Sequence, residues 1–357
     1  MTSPPLNLGL KPKRILLVRV GAMGDVIHAI PAFASLRAAF PDASIAWAIE
    51  ERWRPLLPAG VDVVHVVRTK AWRKRPFALS TWREIRAAER EIKNAGYDLA
   101  VDVQGAIRSG VIAWWSRAPT RVGFSKPRES QAKMFYTHKV AATRRHVIEQ
   151  NLELTATITG EPYLVYRSME IPTTSAAEQF VGESERLGLL QRGRYAILNP
   201  GAGWGAKCWP VERYTCVAKK LVERGVASVV NYGPGEEALA RKVESQSRGA
   251  AKAVACSLEE LIAVTKYARI FIGGDTGPMH LAAHFGVPVV ALFGPTDPAR
   301  NGPYGTRSTI IRHEQSNTSY SHKQKTDQGL MEVSAEEVVE AAEKLLAAET
   351  KSAGGPR

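Results

Sequence analysis

The chain repeats one local pattern in each of its halves, namely an apolar run, a glycine-rich turn and a helical segment. In the first half the pattern occupies residues 14–40, where RILLVRV precedes GAMGD and a helical stretch. In the second half it occupies residues 268–298, where RIFI precedes GGDTG, a short helical stretch and the apolar run VPVVALF. Buried strands that alternate with helices predict a parallel sheet covered on both faces. The sequence therefore predicts an α/β fold built from two Rossmann-like domains that face each other across a cleft.

The 357 residues are enough for about two domains. We expect a disordered lead at residues 1–12, an N-terminal domain at 13–180, a C-terminal domain at 190–330, a helix at 331–347 and a tail at 348–357. Pro31 lies inside the first helical pattern and is expected to kink or restart that helix. Residues 68–77 are expected to form a basic loop, and residues 117–150 are expected to be basic and irregular apart from a short strand at residues 121–124.

The composition is that of a globular protein and excludes several classes. Hydrophobic residues make up 45% and charged residues 23% of the chain, and no apolar run reaches the length of about 18 that a membrane-spanning helix needs. The first residues lack the apolar core of a signal peptide, so secretion is not expected. The three cysteines, at 208, 216 and 256, form no C-x-x-C pair. They suit a reducing cytoplasm and argue against a disulfide framework or a zinc site.

The net charge of +13 predicts an anionic partner, such as a nucleic acid, a lipid headgroup or a phosphorylated substrate. Much of the positive charge lies in residues 68–90 and 126–145, and it does not form one uninterrupted tail. A basic run with an embedded aromatic residue, such as residues 68–77 around Trp72, suits phosphate or carboxylate groups and also nucleic acid.

Asp25 is the main candidate for chemistry in the first half. It follows a strand and lies at the start of a helix, so it is either a helix N-cap or a carboxylate base that faces a cleft. His28, three residues later, either orients Asp25 or is an ordinary surface histidine. The turn is not the G-x-G-x-x-G of a dinucleotide site, and no acidic residue follows the next strand in the required context, so NAD binding is not expected.

The end of a strand at residues 97–103 offers Gln104 as a candidate contact to an acceptor. Asp102, in the same place, is either functional or a buried carboxylate that stabilises the turn.

The second half carries features that favour a diphosphate. Asp275 or Thr276 is expected to cap the helix whose unpaired N–H groups favour an anion, and Gly277 lets the ligand approach the backbone. Lys207 lies in a glycine-rich loop, where it is either a charge for a diphosphate or an ordinary exposed lysine. The remaining candidates, each with a structural alternative, are Glu236 or Glu237 for ribose hydroxyls and His280, which is otherwise a packed helix residue.

Five motifs, in order along almost the whole chain, together resemble the ADP-heptose:lipopolysaccharide heptosyltransferases, which are inverting glycosyltransferases with the GT-B fold. These motifs are VRVGAMGDVIH at 18–28, DVQG at 102–105, WGAKCWP at 204–210, GDTGPMH at 274–280 and FGPTDP at 293–298. Within the family the chain looks most like the heptosyltransferase I branch, which adds the first heptose to Kdo of the inner core. One departure is GAGW at residues 201–204, where relatives often carry hydroxyl residues.

The resemblance implies roles for particular residues. Asp25 matches the catalytic base and Lys207 the lysine on the donor diphosphate. The other implied donor contacts are Glu236 or Glu237 on the ribose, the phosphate turn of Asp275, Thr276 and Gly277, and His280 at its helix. The implied acceptor contacts are those of the basic loop, Arg68, Lys70, Arg73 and Lys74.

The partners that the resemblance implies are ADP-heptose as donor and Kdo-lipid A as acceptor, with no cofactor and no metal ion. The enzyme is expected in the cytoplasm, in transient contact with the anionic inner membrane, and nucleic acid is not expected. One alternative is a glycosyltransferase of the same family with a different nucleotide sugar or acceptor. A more distant alternative is a non-enzymatic nucleic-acid binder. This alternative does not explain the paired glycine turns or Lys207.

Overall fold

The computed structural model describes residues 11–161, 164–319 and 325–353, with side chains up to residue 348. The chain divides into two compact units, Met1–Pro172 and Thr173–Arg357. Most of the predicted lead, and the end of the predicted tail, lie outside the described residues. No helix in the described part of the chain combines the length and the apolar character needed to cross a bilayer.

The first unit contains one parallel sheet in the order β3-β2-β1-β4-β5-β6. Its strands are β1 (Arg14–Val18), β2 (Ser44–Glu50), β3 (Val63–Val67), β4 (Leu99–Asp102), β5 (Thr120–Phe124) and β6 (His138–Val140). Its helices are α1 (Met23–Ile27), α2 (Ile30–Ala39), α3 (Thr69–Lys74), α4 (Leu79–Asn94), α5 (Ile107–Trp115) and α6 (Val147–Thr159). Short 3-10 turns occupy Glu51–Leu56 and Ser130–Phe135.

The second unit contains a second parallel sheet, in the order β12-β11-β10-β7-β8-β9. Its strands are β7 (Tyr195–Asn199), β8 (Ala227–Tyr232), β9 (Ala251–Ala255), β10 (Ile270–Gly274), β11 (Val289–Leu292) and β12 (Ser308–Ile311). Its helices are α7 (Ser175–Arg186), α8 (Val211–Val222), α9 (Glu237–Ser247), α10 (Leu258–Lys266), α11 (Gly277–His284), α12 (Pro298–Asn301), α13 (Gln328–Glu332) and α14 (Ala335–Ala353). A 3-10 turn occupies Gly205–Lys207.

The two units share one topology. Within each unit, the first and fourth strands lie side by side and the chain winds outward from them in both directions. This is the doubly wound Rossmann arrangement, in which a crevice opens at the carboxyl ends of these two central strands. The predicted α/β class with two Rossmann-like domains is confirmed. The crevice loops follow β1 and β4 in the first unit, and β7 and β10 in the second.

The central strands form because they are apolar and buried on both faces. Ile15, Leu16, Leu17 and Val18 of β1 have no exposed surface, and the same holds for Ile270, Phe271 and Ile272 of β10. In parallel sheets with helices on both faces, such continuous apolar runs are the expected pattern. The two apolar cores of the second unit lie on opposite faces of its sheet, one beneath α8 and α14 and the other beneath α10 and α11.

The helix predicted at residues 26–40 is two helices, because α1 ends at Ile27 and α2 restarts with Pro31 in its first turn. This confirms the restart that Pro31 predicted, since proline suits a first turn and not a helix interior. The prediction of a loop at residues 68–77 is wrong, because Thr69–Lys74 form α3, which contains neither glycine nor proline. In the region predicted to be irregular at residues 117–150, β5 confirms the predicted short strand, and the region also contains the second 3-10 turn and the short edge strand β6.

Candidate functional site

Asp25 lies in the loop that follows β1, at the crevice of the first unit. It is the third residue of α1, not its N-cap, because Ala22 holds the N-cap position. The carboxylate reaches back, and Oδ2 accepts a hydrogen bond from the Ala22 backbone N–H at 3.2 Å. The side chain keeps 34% of its surface exposed, so one edge of the carboxylate is open to a ligand.

Arg19 holds the other carboxylate oxygen. Its Nη2 lies 2.7 Å from Asp25 Oδ1, and its Nη1 donates to the Val103 carbonyl at 2.5 Å, just beyond β4. The Arg19 side chain is 7% exposed, so the pair is shielded on the guanidinium side. Sequence reasoning missed this residue, although a charged residue near the end of an apolar run was a usable signal. A fork-shaped guanidinium with two fixed partners orients a carboxylate more strictly than a lysine does.

The loop after β4 is fixed by a buried carboxylate. Asp102 has no exposed surface and accepts hydrogen bonds from Tyr136 Oη at 2.7 Å and Ser109 Oγ at 2.8 Å. It also accepts the backbone N–H groups of Gln104 and Gly105. Burial raises the pKa of Asp102, and these donors oppose the rise without cancelling it. Of the two interpretations left open, the structure shows the buried, turn-stabilising carboxylate.

Gln104 connects the two crevice loops of the first unit. Its Oε1 accepts the Val20 backbone N–H at 2.8 Å, and the residue is 7% exposed. Its amide oxygen therefore has a structural partner, and the contact to an acceptor stays a prediction.

His28 is not a surface histidine, because it is 4% exposed. It ends α1, and its ring centroid lies 5.8 Å from that of His146, in an edge-to-face arrangement. Its backbone carbonyl accepts a hydrogen bond from Asn151 Nδ2. These contacts place His28 in the packing between α1 and α6, and the side chain paired with the Asp25 carboxylate is that of Arg19.

The predicted basic residues lie on or beside α3, which follows β3. Arg68 pairs with Glu51 at 3.0 Å, and the Lys70 backbone N–H donates to Glu50 Oε1. Partial burial, followed by repulsion from Arg52, Arg108 and Arg73, lowers the pKa of the Lys70 ammonium, and Glu50 opposes this. Repulsion of that kind means that these cations share one region of the first unit.

Arg52 and Arg108 are members of this region that sequence reasoning missed, because the turn after β2 and the start of α5 gave no motif for a cation. Arg73 and Lys74 are exposed at the end of α3.

In the second unit, the loops after β7 and β10 bring Lys207 and Asp275 together across 68 positions of sequence. Lys207 Nζ lies 2.7 Å from Asp275 Oδ2 and 3.1 Å from the Asp275 carbonyl. Their side chains are 15% and 7% exposed, so Lys207 is not an ordinary exposed lysine. The ammonium also lies 5.3 Å from the centre of the Trp204 ring, in a cation–π contact.

Asp275 is held from its other side by His280, whose Nε2 lies 3.3 Å from Oδ1. Burial alone would raise the pKa of Asp275, but the combined effect of His280 and Lys207 lowers it well below the ordinary aspartate range. Asp275 is therefore an anion that is already paired, and His280 is a packed residue that also contacts the turn.

The helix after this turn begins at Gly277, with Thr276 at the N-cap position. The Thr276 hydroxyl donates to the Gly274 carbonyl at 3.3 Å, instead of accepting a hydrogen bond from the first turn of α11. Thr276 therefore confirms the predicted N-cap position, but its side chain makes no capping hydrogen bond. The turn also packs closely, because a Cβ at Gly274 would lie 3.2 Å from the Lys207 carbonyl oxygen.

The two candidate glutamates after β8 differ in direction. Glu236 Oε2 accepts the Gly233 N–H at 3.1 Å, and the carboxylate fills the space beside Gly201, where a Cβ would lie 2.2 Å from Oε1. Glu237 is instead paired with Arg241 along α9 and is 64% exposed. Glu236 is therefore the one that faces the loop carrying Lys207.

Comparison with known proteins identifies the family of this chain. Residues 85–331 match glycosyltransferase family 9 (heptosyltransferase). Lipopolysaccharide heptosyltransferase 1 of Pseudomonas aeruginosa is 29% identical over 299 residues, covering 82% of this chain and 81% of that protein. The Escherichia coli K12 protein of the same name is 28% identical over 311 residues, covering 85% and 95%.

Solved structures give the same result. The E. coli heptosyltransferase WaaC with ADP has a TM-score of 0.77 and 25% identity, covering 93% of this chain and 99% of that one. The same enzyme with ADP-2-deoxy-2-fluoro heptose has a TM-score of 0.75 at the same identity and coverage. These likenesses confirm the GT-B fold class. The family match covers more than half of the sequence, and the chain therefore belongs to glycosyltransferase family 9, the heptosyltransferases, and is a transferase enzyme.

Proposed function

We propose that this enzyme transfers a heptose from ADP-heptose to a Kdo residue of the lipopolysaccharide inner core, with inversion at the anomeric carbon. The observation that carries the proposal is the shielded Lys207–Asp275–His280 cluster at the crevice of the second unit. This cluster lies in a chain that is similar to E. coli WaaC, whose structures have been determined with ADP and with ADP-2-deoxy-2-fluoro heptose.

The donor binds to the second unit in this proposal. The Lys207 ammonium and the backbone N–H groups at the start of α11 hold the diphosphate, because cations and helix N-termini both favour phosphate oxygens. The Asp275 anion must then share Lys207 with the diphosphate, and His280 keeps that carboxylate in place. Glu236, supported by the Gly233 N–H, accepts hydrogen bonds from the ribose hydroxyls.

Asp25 acts as the base in this proposal. Its exposed carboxylate edge takes the proton from the attacking acceptor hydroxyl, while Arg19 and the Ala22 N–H hold the rest of the group still. The oxygen of the hydroxyl forms the new bond to the anomeric carbon as the bond from that carbon to the diphosphate breaks. Negative charge grows on the leaving ADP, where Lys207 and the α11 amides stabilise it in place of a metal ion.

The acceptor binds to the first unit in this proposal, with its carboxylate and phosphate groups on the cations around α3. Lys70, Arg73 and Lys74 supply charge directly, and Arg52 and Arg108 add to the same region. The acceptor is anchored in lipid, so the first unit contacts the cytoplasmic surface of the inner membrane during the reaction.

The direct test mixes the purified enzyme with ADP-heptose and Kdo-lipid A and follows ADP release and the mass of the lipid product. We expect one heptose to be added per ADP released. No mass increase on the acceptor, with the donor intact, would contradict the proposal.

A calorimetric panel of ADP-, GDP- and UDP-sugars tests the choice of donor separately. We expect the ADP sugar to bind most tightly, and tighter binding of another nucleotide sugar would favour a different donor for the same fold.

A further inference from the structure

Helix α4 presents a solvent-facing side of unusual composition. Residues that lie within one face of the helix, given 100° per residue, are Leu79, Trp82, Arg83, Arg86, Arg90 and Lys93, here called the α4 outer face. All six are exposed, with Leu79 at 66% and Trp82 at 52%. The opposite side, which includes Thr81 and Ile92, is buried against the sheet. The outer face is therefore available to a partner outside this chain.

The acidic residues of α4 do not neutralise this face. Glu84 accepts a hydrogen bond from Trp72 Nε1 at 3.0 Å, and Glu91 lies 2.6 Å from His65 Nδ1, so both point away from the outer face toward the protein. Glu89 lies on the flank and is half-buried. The outer face thus carries four cations and no carboxylate.

The apolar residues of the surface gather at one end. Leu79 and Trp82 are in the first turn of α4, three positions apart on the same side, and Phe77, just before the helix, is 95% exposed. Because α4 runs back from the carboxyl end of β3 toward the start of β4, this apolar end lies at the edge of the sheet that carries Asp25 and Gln104. A surface with an aromatic and aliphatic tip followed by arginines is typical of helices that lie in a membrane interface.

We propose that the α4 outer face, together with Phe77, docks the enzyme on an anionic lipid bilayer. Phe77, Leu79 and Trp82 enter the headgroup region, and Arg83, Arg86, Arg90 and Lys93 contact lipid phosphates. This proposal specifies which surface makes the membrane contact described under the proposed function. It rests on that proposed function only for the identity of the acceptor. Docking places the crevice edge of the first unit next to the bilayer, where a lipid-anchored acceptor would enter.

The experiment measures binding of the whole chain to vesicles that contain neither donor nor acceptor. We expect binding to vesicles of phosphatidylcholine mixed with phosphatidylglycerol, and little binding to phosphatidylcholine alone. Each arginine near an anionic surface contributes a factor of about five, so Arg83→Ala with Arg86→Ala should weaken binding by about 25-fold. Trp82→Ala should weaken it by about tenfold, because part of an indole leaves the interface.

Matched controls lie on the second unit. Leu187 is 74% exposed, and the side chain of Arg186 is 77% exposed. Leu187→Ala and Arg186→Ala should therefore leave vesicle binding unchanged, whereas Leu79→Ala and Arg86→Ala should reduce it. A fluorescence blue shift of Trp82 on vesicle addition, absent from Trp82→Ala, provides a second readout.

Equal binding of wild type and the Trp82 and arginine variants to anionic vesicles would overturn the inference, as would no vesicle binding by the wild type. Preferential binding of an oligonucleotide to the same face, without vesicle binding, would assign it to nucleic acid instead. Transfer to a deacylated, water-soluble acceptor should be unchanged in Leu79→Ala. Loss of wild-type transfer on that acceptor would count against the proposed function and leave the vesicle result standing.

Discussion

The Arg19 guanidinium lies 2.7 Å from the Asp25 carboxylate and, through its other nitrogen, donates to the Val103 carbonyl. The same side chain therefore connects the loops that follow the two central strands of the first sheet. Arg19 is almost fully buried, whereas the Asp25 side chain is 34% exposed. The Asp25 carboxylate therefore contacts Arg19 on one side and solvent on the other.

Asp25→Asn should abolish most of the transfer activity. The amide oxygen can still accept the Ala22 N–H, so the fold should persist, but the group can no longer take a proton. We expect kcat to fall by about 10²- to 10⁴-fold, the range typical of a lost general base. The measurement is ADP release under saturating substrates. ADP affinity by calorimetry is the control and should not change, and a kcat within a few-fold of wild type would remove Asp25 from the role of base.

Arg19 is expected to act as a positioning residue. Arg19→Met should lower kcat by about 10²-fold, because a small misplacement of a catalytic group has effects of this size, while both KM values change little. Arg19→Lys should recover part of the loss, since an ammonium can pair with Asp25 but cannot hold two partners in the same fixed fork. If Arg19→Met instead raises KM at constant kcat, the residue binds substrate and does not orient the base.

Glu236 and Glu237 are adjacent, so the same substitution at each position provides a test and its matched control. Glu236→Gln should weaken ADP binding by about tenfold, because a neutral amide makes weaker hydrogen bonds to ribose hydroxyls than a carboxylate does. Glu237→Gln should leave ADP affinity unchanged, since this side chain pairs with Arg241 on the exposed side of α9. Calorimetric titration with ADP decides between them, and the reverse order would assign the ribose to Glu237.

Asp275 should make stability depend on pH in acid. Its pKa is lower in the folded state than the value of about 3.9 typical of unfolded chains, so its ion pair stabilises the fold above that pH. This contribution is lost as pH falls from about 4 toward the depressed folded pKa. The difference in unfolding free energy between wild type and Asp275→Asn should therefore shrink below about pH 4 in urea titrations.

The control for that titration is Glu337→Gln. Glu337 also has a lowered pKa, but its side chain is exposed, with 43% of its surface open to solvent. Its stability difference from wild type should be small throughout. A wild-type advantage over Asp275→Asn that stays constant down to pH 3 would contradict the coupling between this carboxylate and its partners.

Tyr136→Phe should destabilise the first unit. The substitution removes one donor from the fully buried Asp102 carboxylate, and leaving such a group short of a partner costs about 1–3 kcal/mol. Urea unfolding of the variant measures this cost. Tyr267→Phe is the control, because its hydroxyl bonds to Glu178, whose side chain is 31% exposed and can turn to water. Equal losses in the two variants would show that burial of Asp102 does not decide the effect.

The fold was predictable where a strand is apolar on both of its faces. β1, β2, β7 and β10 were predictable from their apolar runs, and the glycine-rich turns after β1, β7 and β10 locate the crevices. The strands that the sequence concealed, β6, β9 and β12, lie at sheet edges, where one side needs no cover and the apolar signal is diluted.

The candidate site was predictable as a set of residue types but not as a set of pairs. Lys207 and Asp275 were singled out separately, yet their ion pair spans 68 positions and follows from the topology of the second sheet. Tyr136 and Asp102 likewise meet across 34 positions. Arg19 offered a usable signal as a lone charge just beyond the apolar run of β1, but its two partners, Asp25 and Val103, follow from the fold and not from a motif.

Each sheet draws all six of its strands from one continuous half of the chain, with no strand exchanged between the halves. A genetic crossover placed near position 172 would therefore cut no β-ladder, and it would separate Asp25 from Lys207 onto different parental segments. Enzymes of this family that accept different substrates should thus be open to recombination of whole halves, so that an acceptor preference could be inherited independently of a nucleotide preference.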